Sequence, residues 1–69
     1  MEEARKRIAQ ARRINGERLD LDKLGLETFP EEILALHDLQ ELDLRNNKLR
    51  SIPDGIRSLR HLKNVFLED

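Results

Sequence analysis

A chain of 69 residues with no cysteine can form one small domain, and neither a disulfide nor a thiolate metal site can hold it together. Charged residues make up 39% of it, but thirteen lysines and arginines against fourteen acids leave a net charge of −1, which argues against a general nucleic-acid binder. No apolar run approaches the ~20 residues of a membrane span, and the N-terminus lacks the apolar core of a signal peptide, so the cytosol is the expected compartment. A chain this short buries only ~60% of its unfolded surface, so its stability must come from packed leucines.

The first predicted element covers residues 2–14. Met1, Ala4, Ile8, Ala11 and Ile14 fall at spacings that put them on one helix face. Good helix formers fill the remaining positions. Glu2 and Glu3 open the segment and Arg12 and Arg13 close it, as the helix dipole prefers. Asn15-Gly16 supplies residues that tolerate the left-handed conformation of a helix C-cap. Residues 1–16 carry five basic and two acidic residues, net +3, whereas residues 17–69 carry eight basic and twelve acidic, net −4. The small apolar face, with Ile8, Ala11 and Ile14 turned inward, suits a cap over the leucine-rich segment from residue 17 onward. A sharper alternative is a basic helix that binds an acidic partner through Arg5, Arg12 and Arg13. A membrane helix is disfavoured, because the apolar face has no Trp, Phe or Leu.

That leucine-rich segment is a duplication. Residues 17–39 and 40–62 align without a gap at Leu19/Leu42, Asp20/Asp43, Leu21/Leu44, Leu26/Leu49, Pro30/Pro53, Ile33/Ile56, Leu36/Leu59 and Leu39/Leu62, a period of 23 residues. A fixed period of this size marks a stacked-repeat architecture. Each unit opens with the alternation of a half-buried strand. It passes through an irregular turn to a proline and then to a short helical or 3₁₀ segment. The segment from Glu31 to Leu36 is expected to be the stronger of the two, because its counterpart contains Asp54-Gly55.

From Leu39 to Leu62 the chain reads LxxLxLxxNxLxxIPxxIxxLxxL without a break. That pattern resembles the leucine-rich repeat family, in its 23-residue form with a proline on the convex side. The lead-in LDLDKLGLETFPEEI is similar to the start of bacterial leucine-rich-repeat proteins, including those of the Roco type. No GxxxxGK[ST] phosphate loop is present, so the GTPase of that type has no counterpart here. The resemblance implies an α/β solenoid: about three parallel strands on a concave face, proline-led segments on the convex face, and an N-terminal capping helix. The units would be 1–16 (cap), 17–39 (first repeat), 40–62 (second repeat) and 63–69 (strand of a third). The family asparagine falls at Asn47, but the first repeat has Leu24 at that position, so the asparagine ladder is reduced to one rung.

Residues 63–69 continue the register, with Val65 and Leu67 in the places of Leu42 and Leu44. A third strand with a free edge invites pairing, and two copies could join edge to edge in antiparallel fashion. Two explanations compete: the chain is an excerpt of a longer protein, or it is a self-assembling minimal or engineered repeat fragment. Taken as it stands, a homo-oligomer through residues 63–69 is expected.

The side chains between the inward leucines form three outward columns: Arg18, Glu41, Asn64; Asp20, Asp43, Phe66; and Asp22, Arg45, Glu68. Equivalent positions lie ~4.8 Å apart on neighbouring strands. The outer columns, first and third, alternate in sign and should help strand pairing a little. The second sets two carboxylates side by side, too few for a hard cation, which wants six or more oxygen ligands. Phe29 falls inward by register. Phe66 falls outward, where an aromatic side chain can anchor an interface. His37, His61, Ser51 and Ser58 make no nucleophile–base set. The expected function is thus a non-enzymatic protein-interaction or scaffold module, without cofactor or metal. It would bind a protein or peptide, rather than nucleic acid or membrane, through these nine residues.

Overall fold

The computed structural model describes residues 2–67. Helix α1 spans Glu2–Arg13. Its end is a hydrogen-bonded cap. Gly16 N–H donates to the Ala11 carbonyl at 2.8 Å and Asn15 N–H to the Arg12 carbonyl at 3.4 Å. Asn15 sits at φ 51°, in the left-handed region. That pairing satisfies carbonyls the helix would otherwise leave bare. Ala4, Ile8 and Ala11 are buried, as the spacing predicts. Ile14 is not. It lies beyond the last helical residue, where the cap swings the chain away, and it is 64% exposed. The covering face is therefore one residue shorter than expected. Met1 lies outside the described residues.

Three strands form one parallel sheet in the order β1-β2-β3: β1 Arg18–Asp20, β2 Glu41–Asp43 and β3 Asn64–Phe66. The pairing register is Arg18↔Glu41↔Asn64, Leu19↔Leu42↔Val65 and Asp20↔Asp43↔Phe66. This is the 23-residue offset read from the sequence. Each crossover runs through a 3₁₀ segment, Glu31–Ala35 in the first repeat and Asp54–Ser58 in the second, both of five residues. The first is no longer than the second, contrary to expectation. The reason is the spacing of the apolar residues. Ile33, Leu36 and Leu39 recur every third residue, as do Ile56, Leu59 and Leu62. In a 3₁₀ helix, side chains three apart eclipse, so this spacing puts them in one row. Matching three-residue hydrogen bonds run Ile33→Pro30, Leu36→Ile33 and Leu39→Leu36 in one repeat, and Ile56→Pro53, Leu59→Ile56 and Leu62→Leu59 in the other. Each proline stands just ahead of its segment in extended geometry. Gly55 lets the two segments approach: a Cβ there would meet Leu34 Cδ1 at 3.1 Å.

The core is the leucine column. Leu19, Leu21, Leu26, Ile33, Leu36, Leu39, Leu42, Leu44 and Leu59 are buried, with Phe29 among them as its register predicts. Full burial of one such side chain contributes ~1.5–3 kcal/mol. Ala4, Ile8 and Ala11 of α1 belong to the same cluster and close its β1 end. Arg5 reaches Glu32 at 3.7 Å, and Arg7 donates to the Asp20 carbonyl at 2.9 Å, so polar contacts rim the cap. Leu24 packs against the core from a half-buried position. At the opposite end all three residues of β3 are exposed.

Candidate interaction surface

The sheet face turned away from the leucine column carries the outward columns. In the first, Arg18 lies 3.5 Å from the Glu41 carboxylate, and Asn64 Nδ2 donates to the same side chain at 3.5 Å. Such exposed pairs contribute little, ~0.2–1 kcal/mol each, but they hold the column in register.

The second and third columns interlock. Asp43 is only 5% exposed, so it is not the surface carboxylate that alternation alone suggests. Its Oδ1 accepts hydrogen bonds from the Arg45 backbone N–H at 3.1 Å and from Arg45 Nε at 3.0 Å. Its Oδ2 accepts one from the second guanidinium nitrogen at 2.7 Å. This is a bidentate fork, the strong form of the pair. The Arg45 side-chain hydrogen bonds hold the Asp43 carboxyl below its ordinary value, while burial works in the opposite direction. On its other side the Arg45 guanidinium stands 5.4 Å from the centroid of the Phe66 ring, within cation–π range. Asp43, Arg45 and Phe66 thus form one unit. The buried acid fixes the arginine, the ring supports it, and the arginine side chain stays 43% exposed. Asp43 therefore acts through Arg45.

Beside this unit lies an acidic edge. Asp20 is exposed, and its Oδ1 accepts the Asp22 N–H at 2.9 Å. Asp22 in turn accepts from Asn46 Nδ2 at 2.8 Å. Asn46 was not a candidate from the sequence. The signal was its position 24 residues after Asp22, one period plus one, at the strand exit. Glu68, the last member of the third column, lies outside the described residues.

Asn47 braces the sheet from below. Its Oδ1 accepts the Leu24 and Leu26 N–H groups at 3.1 and 3.0 Å. Its Nδ2 donates to the carbonyls of Leu21, Leu44 and Arg45 at 2.9–3.1 Å. The single rung spans two repeats by itself.

Among proteins of known sequence, residues 38–59 match the Leucine Rich Repeat family model. The chain belongs to the leucine-rich-repeat family. It is 41% identical over 64 residues to the probable inactive serine/threonine-protein kinase roco10 of Dictyostelium discoideum, covering 93% of this chain and 2% of that protein. It is 41% identical over 52 residues to the volume-regulated anion channel subunit LRRC8A of Rattus norvegicus, covering 75% of this chain and 6% of the subunit. It is 48% identical over 47 residues to chaoptin of Tribolium castaneum, covering 65% of this chain and 6% of chaoptin. The leucine-rich-repeat chain thus spans a few per cent of the length of these relatives. No solved structure gives a significant match. Repeats of this family generally mediate protein–protein interaction and are typically not catalytic. Among the described residues no group of three or more His, Cys, Asp or Glu could hold a metal ion. No helix there is long and apolar enough to cross a membrane.

Proposed function

We propose that this leucine-rich-repeat segment is a protein-recognition module whose contact surface is the outward sheet face, with Arg45 and Phe66 as its anchor. The observation that carries the reading is the Asp43–Arg45–Phe66 unit: an exposed guanidinium held by a bidentate carboxylate and an aromatic ring. A side chain fixed before binding loses little rotamer freedom on binding, and arginine and aromatic residues dominate interface energetics. Asp20 and Asp22 beside it favour a partner that brings a cation. Arg18, Glu41 and Asn64 form the rim of the same surface, with Glu68 as its outlying member.

The test is site-specific photo-crosslinking. A crosslinker at Asn64 should capture a partner that one at Arg50, in the turn after β2, does not. Arg45→Glu and Phe66→Ala should each weaken the captured complex at least tenfold while the folded circular-dichroism spectrum persists. Equal capture from both positions would reject the sheet face.

A second reading is favoured by the state of β3. Val65 and Leu67 continue the inward column yet are 36% and 51% exposed. The outer edge of β3 pairs with no other strand among the described residues. Pairing with the β3 of a second copy would cover both features. Light scattering across a concentration series tests it: mass should rise with concentration, and Val65→Pro should hold the chain monomeric. A constant monomer mass at high concentration would rule this reading out.

A further inference from the structure

The repeats also bring together a group of bases that the sheet-face reading leaves unused. Residues 57–63, RSLRHLK, contain Arg57, Arg60, His61 and Lys63 and no acid. The equivalent stretch one period earlier, 34–40, contains no lysine or arginine. Stacking sets the two stretches side by side, because Lys63 N–H donates to the Gln40 carbonyl at 2.8 Å and fixes their register. By the same offset His37 neighbours Arg60, and Asp38 neighbours His61. Together His37, Asp38, Arg57, Ser58, Arg60 and His61 line one open groove of about 690 Å³ between the two turns.

Two arginines that no acid among the described residues engages line this one groove. Arg5, Arg7, Arg18 and Arg45 each engage an acid. Arg57 and Arg60 engage none among the described residues, as Arg12, Arg13 and Arg50 also do not, although acids outnumber bases in the chain as a whole. Arg12 and Arg13 share a groove with Glu32, an acid that Arg5 engages, whereas Arg57 and Arg60 share theirs with no arginine–acid pair. Asp38 is the one carboxylate in the lining, so two guanidinium groups face one acid there. A guanidinium presents a planar fork of donors that fits a carboxylate with two parallel hydrogen bonds. The imidazoles of His37 and His61 add further polar atoms to the same walls. On the far side of the His37–Asp38 turn, a separate cleft is lined by Ala11, Arg12, Asn15 and Gly16 at the end of α1. The carbonyl end of a helix carries partial negative charge. That cleft sets one arginine against the helix end, whereas the second-repeat side holds two, so an anion is favoured over Arg57 and Arg60.

We propose that this groove is a second interaction surface, separate from the sheet face, that receives an acidic peptide segment through Arg57 and Arg60. The two surfaces have opposite character. The sheet face joins an aromatic anchor to an excess of carboxylates, and the groove offers guanidinium groups that no acid among the described residues engages, so each selects a differently charged part of a partner.

The test is an NMR titration of the chain with an N-acetylated hexaglutamate peptide at low salt, repeated at 0.3 M salt. Amide shifts should concentrate on residues 37–38 and 57–63, and affinity should fall at least fivefold in the higher salt. The double variant Arg57→Gln/Arg60→Gln changes exposed side chains only and should keep the folded spectrum while losing at least tenfold in affinity. Phe66→Ala should leave this binding unchanged, so failure here is separable from failure of the sheet-face reading. Absence of binding, undiminished binding by the double variant, or a loss confined to Arg12→Gln/Arg13→Gln would overturn the proposal. So would tighter binding of an oligothymidylate of equal charge, because the groove would then favour a phosphate backbone over carboxylates.

Discussion

The two ends of the leucine column are finished in different ways. At the β1 end, Ala4, Ile8 and Ala11 lie over the column, and Leu19 and Leu21 are buried. At the β3 end, the equivalent Val65 and Leu67 stand open. Small side chains on the helix let its backbone come close. Two alanines and one isoleucine close the first end, where bulkier residues would hold the helix off. The second end has the same inward pattern, and among the described residues nothing covers it. Repeats in such a stack draw stability from their neighbours, so a residue's worth depends on what stacks beside it as well as on its own type.

Substitution at equivalent positions measures that dependence. Leu42→Ala, in the middle strand at full burial, should cost about 3–5 kcal/mol, enough to unfold a domain of this size. Val65→Ala, one strand further, should cost about 0.5 kcal/mol, the range of a surface change. Chemical denaturation of the two variants at one protein concentration checks the ratio. Equal costs would mean that the β3 end is covered in solution.

The next effect belongs to the brace between the repeats. Asn47→Ala should cost about 2–3 kcal/mol, because it strands the buried Leu26 N–H and weakens the bonding of Leu24, Leu21 and Leu44. Amide exchange should report where. Leu24 and Leu26 should lose protection before β2 does, since their partner comes from the neighbouring repeat. Uniform loss across the sheet would contradict a local role.

Smaller again is the contribution of the Asp43–Arg45 fork. The folded-state pKa of Asp43 is lowered, chiefly by the Arg45 side-chain bonds. A lowered value stabilises the fold above the unfolded pKa of about 3.9, and that contribution is lost as acid carries the pH through the lower folded value. Thermal melts from pH 7 to pH 2 should therefore show a steeper acid decline in the native chain than in Asp43→Asn. Superimposable declines would mean that the fork does not bias folding.

Much of this was legible in the sequence because a 23-residue period ties inside to inside and outside to outside. One correct alignment fixed the sheet register, the inward place of Phe29 and the outward place of Phe66. What escaped depends on atoms that alternation does not describe. Ile14 keeps the helical spacing, but the cap formed by Asn15 and Gly16 ends the helix before it. Asp43 keeps the outward phase, yet the arginine two residues on folds back over it. The 3₁₀ form was readable in the strict three-residue spacing of the isoleucines and leucines, a clue that glycine content obscured. The groove between Arg57, Arg60 and the two histidines requires knowing which turn lies against which. The register supplies that only once the sheet is built.

The finest test of repeat against repeat uses two backbone positions. Lys23 and Asn46 lie one period apart, just after their strands, and both adopt φ 59°. Asparagine enters the left-handed region readily, whereas lysine does so at a cost on the order of 1 kcal/mol. Lys23 bears that cost while its N–H donates to the Arg45 carbonyl at 3.1 Å, a bond any residue but proline would keep. Lys23→Asn should therefore stabilise the chain by about 0.5 kcal/mol and raise its melting temperature by ~2–4 °C. Lys23→Gly relieves the same strain but frees the unfolded chain, so its net effect should lie near zero. If glycine stabilised more than asparagine, relief of steric strain would outweigh unfolded-chain entropy at this turn. If neither variant moved the midpoint, the lysine would be at ease in a conformation that its counterpart in the second repeat adopts with a better-suited side chain.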